Sequence, residues 1–161
     1  MAFSMRRARR EDSEAIGRMH VASIRKLCGG HYSPDEIEAW AAPRESGFYV
    51  EAIERKAFYV AEESGRVVGF GTLDVESGEV EAVYVHPRAA RRGVGSKLLS
   101  ALEAHARAAG LEQLRLCASL NAVPFYERGG FVRQHETAHR LAGGAEIRCV
   151  SMLKELRRGA A

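Results

Sequence analysis

Residues Glu79–Leu102, EVEAVYVHPRAARRGVGSKLLSAL, decide how the chain is read. Val80, Ala82, Tyr84 and His86 alternate with Glu79, Glu81, Val83 and Val85, which is the period of two of a β-strand. Pro87 has no N–H to give to a ladder and ends that strand. Beyond Gly95 the apolar residues Leu98, Leu99, Leu102 and Ala106 fall at helical spacing, so a helix opens at about Ser96. The segment Arg91–Ser96 therefore lies where a strand hands over to a helix N-terminus.

Such a place favours anions. The first turn of a helix has backbone N–H groups without intrahelical partners, and the macrodipole makes that end partly positive. Gly93 and Gly95 carry no Cβ, so a ligand can approach the backbone around Val94 and Ser96, and Arg91 and Arg92 add positive charge. A phosphate or pyrophosphate fits this description, with a tight turn that holds no ligand as the lesser alternative. Two nucleotide motifs fail. A dinucleotide fingerprint needs a glycine where Leu98 stands, and a Walker A loop needs Gly-Lys-Ser/Thr where the order here is Gly95-Ser96-Lys97.

The glycine spacing resembles the acetyl-CoA signature of the GNAT N-acetyltransferase superfamily: Arg or Gln, two residues, Gly, one residue, Gly or Ala. Gly93 and Gly95 match it, and Ala90 stands where the family has Arg or Gln. A second block, Asn121-Ala-Val-Pro-Phe-Tyr-Glu-Arg-Gly-Gly-Phe131, is similar to the family's later motif and follows in the family's order. The resemblance covers roughly residues 57 to 153. It implies an α/β fold, with a mixed, mostly antiparallel central sheet flanked by helices.

It further implies acetyl-CoA as co-substrate, with its diphosphate on the backbone of Arg91, Arg92, Gly93, Val94, Gly95 and Ser96. The pantetheine arm would pair with the strand end Val83, Tyr84 and Val85 like an added strand, with an oxyanion donor near Val83. Acetyl transfer needs a neutral amine, a stabilised oxyanion and a proton for the departing thiolate. Tyr126 is the expected proton donor, against the alternative of an aromatic packed between Phe125 and Phe131. Glu79 and Glu81 are equal candidates for the base, with ordered water as the other route. Asn121 either touches the pantetheine or phosphates or caps the helix after it. His31, Tyr32 and Trp40 fall where relatives build the acceptor pocket, although aromatics beside a capped helix also pack.

The implied reaction is acetyl transfer to a primary amine by direct attack; a non-catalytic acyl-CoA-binding regulatory module is the alternative. The acceptor is a small-molecule or peptide amine whose identity cannot be read from the chain. Homodimers are common among relatives.

The 161 residues suit one domain spanning 1–161, and 46% hydrophobic with 28% charged residues is ordinary for a globular protein. No run of 18 apolar residues indicates a membrane span, and MAFSMRRARRED lacks the apolar stretch of a secretory signal. Cys28, Cys117 and Cys149 are odd in number and scattered, which suits reduced thiols in a cytoplasm. No metal site is expected, because His20, His86 and His135 lack ligand spacing, and Cys117 reads best as a small buried hydrophobe. The net charge of +3 is mild. The clusters Arg6–Arg10 and Arg157-Arg158 lack interleaved aromatics, so nucleic-acid contact is not expected.

Elsewhere the pattern predicts a strand over Phe3–Ala8 and a helix over Glu11–Leu27, capped by Asp12 or Ser13 and stopped by Gly29-Gly30. Ser33-Pro34-Asp35-Glu36 opens a short helix with a capping box, turning Ile37 and Trp40 to one side, and a third helix runs from about Ser46 to Arg55. Strands Ala57–Glu62 and Val67–Leu73 flank a hairpin turn at Glu63–Arg66. After the long helix stops at Gly110, a strand over Gln113–Cys117 leads to a short helix, Asn121–Arg128, and a closing hairpin, Phe131–His139 with Ala145–Leu153.

Overall fold

The computed structural model describes residues 2–45, 47–141 and 143–156. Ser46, the expected start of the third helix, and the pair Arg157-Arg158 lie outside them. The chain runs β1 (Ser4–Arg7), a 3-10 turn (Arg10–Asp12), α1 (Ser13–Leu27), α2 (Pro34–Trp40), α3 (Phe48–Arg55), β2 (Ala57–Glu63), β3 (Arg66–Asp74) and β4 (Glu79–Val85). It continues through α4 (Val94–Ala108), β5 (Gln113–Ser119), α5 (Val123–Arg128), β6 (Val132–Arg140) and β7 (Glu146–Glu155). The strands form one seven-stranded sheet in the order β1-β2-β3-β4-β5-β7-β6. Every neighbouring pair is antiparallel except β4 and β5, whose parallel ladder holds the single pair Glu79↔Arg115. Beyond that pair the two strands separate, and the cavity described below opens between them.

Local chemistry sets these elements. Ser64 and Gly65 both take left-handed φ, +50° and +76°, so the β2–β3 hairpin turns tightly in the hand that suits strand twist. The capping box forms: Ser33 Oγ accepts from the Glu36 N–H at 3.1 Å and Glu36 Oε1 accepts from the Ser33 N–H at 2.8 Å. One face of the sheet packs Phe58, Val60 and Phe70 against Ile16 and Met19 of α1 and Ile53 of α3. The other face packs Leu73, Val80 and Leu114 against Leu99, Leu102 and Ala106 of α4. Gly69 lets α4 lie close: a Cβ there would stand 3.0 Å from Val94 and Leu98 and 3.1 Å from the Tyr84 carbonyl oxygen. Fully buried aliphatics such as Leu102 each contribute on the order of 2 kcal/mol.

The simple alternation expected of the central strand is broken. Ala82 pairs with Thr72 but Val80 pairs with Leu73, so Glu81 is the extra residue of a β-bulge. Val80 consequently packs on the α4 side, whereas Ala82 and Tyr84 pack toward α1. A smooth period of two would have put all three on one face.

Other boundaries also shift. α4 opens at Val94, one turn-half earlier than Ser96, because Gly93 takes the capping position with φ +83°. Asp12 does not cap α1 with its side chain; its carboxylate binds the Arg6 guanidinium and accepts from the Arg9 N–H at 2.7 Å. The residue closing α1 is Cys28, ahead of the two glycines. Asn121 sits in a 3-10 turn, Leu120–Ala122, so Ala122 and not Asn121 precedes α5. Among the described residues no helix is long and apolar enough to cross a membrane.

Candidate active site

The splay leaves backbone groups bare. His86 N–H donates to the Val68 carbonyl at 2.8 Å. Because successive residues of an antiparallel strand point their polar groups to opposite sides, those of Val83 and Val85 face away from β3 and toward β5. With β4 and β5 paired only at Glu79↔Arg115, these groups have no ladder partner among the described residues. They form a short open strand edge inside the sheet.

The strand leads to the turn before α4. Pro87–Ala89 makes one 3-10 turn, Arg91 takes φ +63°, and Gly93 takes φ +83°. The first intrahelical bond is Lys97 N–H to Gly93 O at 3.1 Å, which leaves the N–H groups of Val94, Gly95 and Ser96 as first-turn donors without side-chain caps. The two glycines differ in purpose. Around Gly93 a Cβ would meet nothing within 4 Å, so the residue is needed for its left-handed φ. At Gly95 a Cβ would approach Phe125 of α5 to 3.1 Å, so that glycine seats α4 against the next helix. Arg92 is not simply available charge: its guanidinium is ion-paired with Glu63 at the end of β2, whose carboxyl it holds below the usual range. That pair ties the turn to the sheet. Arg91 is exposed.

A cavity of about 400 Å³ runs along β4 and through the splay. On one side it meets Val83, Ser119, Ala122 and Tyr126; on the other it meets α1, α2 and α3 through His20, Trp40 and Tyr49. Tyr126 is 6% exposed and held edge-on by Phe125 (5.0 Å) and Phe131 (5.7 Å), as the packing reading expects, and it also lines the cavity. Burial pushes its phenol well above the ordinary value, and its hydroxyl has no hydrogen-bond partner among the described residues. A phenol kept neutral beside a cavity can donate a proton.

The two glutamates both line the cavity and differ in surroundings. Glu79 is half-buried at the β4–β5 pair. Glu81 is exposed on the bulge and ion-paired with Lys56 at the end of α3. The bulge turns it out, so burial does not raise it as a base above Glu79. Asn121 is not part of the cavity wall; its Oδ1 is buried without a partner among the described residues and its amide lies against the Cys28 thiol.

Of the acceptor-pocket candidates, Trp40 lines the cavity. Tyr32 is buried, donating to the Arg148 carbonyl at 2.5 Å and accepting from the Leu120 N–H at 2.9 Å, so it is a packing residue that joins the segment before α2 to β7 and to the turn after β5. His31 is exposed and off the cavity wall. Cys117 is exposed at the cavity instead of buried, since β5 loses its β4 neighbour there. Among the described residues no three His, Cys, Asp or Glu side chains are grouped to hold a metal ion.

The sequence reading missed His20, Arg44, Tyr49 and Lys56 on the cavity wall. His20 carried a signal, a histidine on the apolar face of a helix. Arg44 carried none, because nothing local tells which way a residue after Pro43 points.

The model of the acetyltransferase (GNAT) domain family matches residues 28–156. The uncharacterized N-acetyltransferase YafP of Escherichia coli (strain K12) is 31% identical over 120 residues, covering 74% of this chain and 75% of that protein. The crystal structure of a GCN5-related N-acetyltransferase from Rhodopseudomonas palustris matches with TM-score 0.89 and 31% identity, covering 97% of this chain and 99% of that one. PaiA N-acetyltransferase of Thermoplasma acidophilum, solved with coenzyme A, matches in fold with TM-score 0.79 at 23% identity, covering 97% of this chain and 100% of that one.

Proposed function

Because the chain belongs to the GNAT superfamily and is an acetyl-CoA-dependent N-acetyltransferase, we propose that residues 1–161 form one catalytic unit that acetylates a primary amine by direct attack on the thioester. The observation that carries the reading is the separation of β4 from β5 after one residue pair, with the uncapped first turn of α4 at one end of the gap and Tyr126 beside it. The N–H groups of Val94, Gly95 and Ser96, entered through Arg91, Arg92 and Gly93, hold the diphosphate of acetyl-CoA. The bared groups of Val83 and Val85, flanking Tyr84, take the pantetheine amides as an added strand. The thioester then lies at the splay, where the Val83 N–H is the donor nearest its carbonyl oxygen.

The amine nitrogen attacks the thioester carbonyl carbon and forms the amide bond. The C–S bond breaks, the amine's surplus proton leaves toward Glu79 through water, and Tyr126 supplies the proton that the sulfur takes up. Glu79 is preferred to Glu81 because Glu81 already has Lys56 as its partner. Asn121 keeps a structural place under the turn that leads into α5. A small-molecule or peptide amine remains the acceptor class.

Calorimetry with acetyl-CoA, ATP and NAD, followed by free-thiol release with an amine panel, tests the reading. Binding of acetyl-CoA alone and amine-dependent thiol release are expected. Binding without turnover of any amine would instead support a regulatory acyl-CoA-binding module.

A further inference from the structure

The acceptor side of the cavity has a polarity along β4. Its walls near Tyr84 carry Arg44, His20 and Tyr49; its walls near the start of the strand carry Glu79, with Glu81 neutralised by Lys56. Glu79 and Tyr84 are five residues apart, on the order of 16 Å in a strand. Arg44 Nη1 donates to the carbonyls of Trp40 at 2.9 Å and Ala42 at 3.1 Å, which fixes the guanidinium after α2 and leaves its other donors without a partner among the described residues. No carboxylate pairs with Arg44 among the described residues, although other guanidiniums nearby, such as Arg18 and Arg25, have one.

The surroundings do not compensate that charge. His20 is 6% exposed, shares a hydrogen bond of 2.8 Å between Nδ1 and the Tyr49 hydroxyl, and leaves Nε2 with no partner among the described residues. Its ring stays neutral because burial, and then the Arg44 charge, hold its pKa down at about 3. The same cation bears on the Tyr49 and Tyr84 phenols. A fixed guanidinium, a neutral imidazole with an unused ring nitrogen, and tyrosine hydroxyls at one end of an aromatic-walled cavity describe an anion subsite. Trp40, Phe58 and Phe70 supply apolar wall around it. Counting Arg44 and Lys56 against Glu79 and Glu81, the lining sums to zero, which suits a zwitterion and not a polyamine.

We propose that the acceptor is an amino carboxylate with an apolar body, its carboxylate held by Arg44 beside His20 and Tyr49 and its amine turned toward the thioester at Val83. This rests on the acetyltransferase reading and narrows its acceptor. A guanidinium is the fitting residue because its planar fork can meet both carboxylate oxygens, as a lysine cannot.

The test compares initial rates of thiol release from acetyl-CoA for the common amino acids, their carboxamides and spermidine, with the full chain and with Arg44→Gln and Arg44→Lys. For the wild type, at least one apolar amino acid should be used at least tenfold better, in kcat/KM, than its carboxamide, with spermidine poorer than both. Arg44→Gln should erase that preference mainly through KM, Arg44→Lys should restore part of it, and acetyl-CoA affinity by calorimetry should be unchanged in both. Equal use of acid and carboxamide, spermidine as the best acceptor, or a preference that survives Arg44→Gln overturns the proposal while leaving the acetyltransferase reading intact. Acetyl-CoA binding with no thiol release from any amine overturns both. Should Arg44→Gln lower the melting temperature by disturbing the end of α2, the wild-type acid-to-carboxamide ratio alone decides.

Discussion

On the proposed mechanism, Tyr126 serves packing and chemistry together. Two phenylalanines hold its ring edge-on while its hydroxyl borders the cavity. Tyr126→Phe keeps the ring and removes the proton, so kcat should fall by roughly 10²-fold with acetyl-CoA affinity nearly unchanged. Steady-state kinetics beside calorimetry checks this, and unaltered kcat would remove Tyr126 from the reaction. Gly93 poses the complementary case. Its left-handed φ of +83° would cost an alanine about 1–2 kcal/mol, so Gly93→Ala should lower the melting temperature and weaken acetyl-CoA binding together. Both residues were legible as candidates in the sequence, because motif and spacing marked them. Arg44 and the Arg92–Glu63 pair were not, since a long side chain's partner lies on another element and leaves no trace in local spacing.

At the scale of elements, the strand–turn–helix unit was readable from alternation, Pro87 and the glycines, yet the bulge at Glu81 was not. Glu81 is polar and sits where a polar residue is expected, so the sequence pattern runs past it without a break. The register with β3 reveals it, and register is a property of two strands. This bulge separated two glutamates that a smooth strand would have treated alike. Asn121 misled for a related reason: Asn before a helix usually caps it, but here one 3-10 turn intervenes. Contact between α4 and β3 offers a direct test of how the helix N-terminus is placed. Gly69→Ala puts a Cβ against a backbone carbonyl at 3.1 Å, which flexible side chains cannot relieve. We expect a loss of about 1–3 kcal/mol in denaturant unfolding, with weaker acetyl-CoA binding as α4 is pushed off the sheet.

The whole molecule should respond to acid through His20. Its folded pKa of about 3 lies below the ordinary value near 6.5, so the unfolded chain binds the extra proton between those limits. The stability that depends on a neutral His20 is therefore complete above about pH 6.5 and is lost progressively as the pH falls toward 3. Asp12, held low chiefly by Arg6, adds a further loss below its ordinary value of 3.8. Thermal melts from pH 8 to 4 should show the first decline near pH 6.5, and His20→Gln should flatten it. An unchanged slope in that variant would mean that another group is titrating.

On the proposed binding mode, the gap between β4 and β5 leaves the molecule an unfinished object until its thioester arrives. A ligand that supplies the missing strand and is absent from the unfolded chain adds about 2.7 kcal/mol at a hundredfold excess over its dissociation constant. Cellular lifetime of the polypeptide would then follow the supply of activated acetate: starved cells would present proteases with a looser target, and well-fed cells with a sealed one.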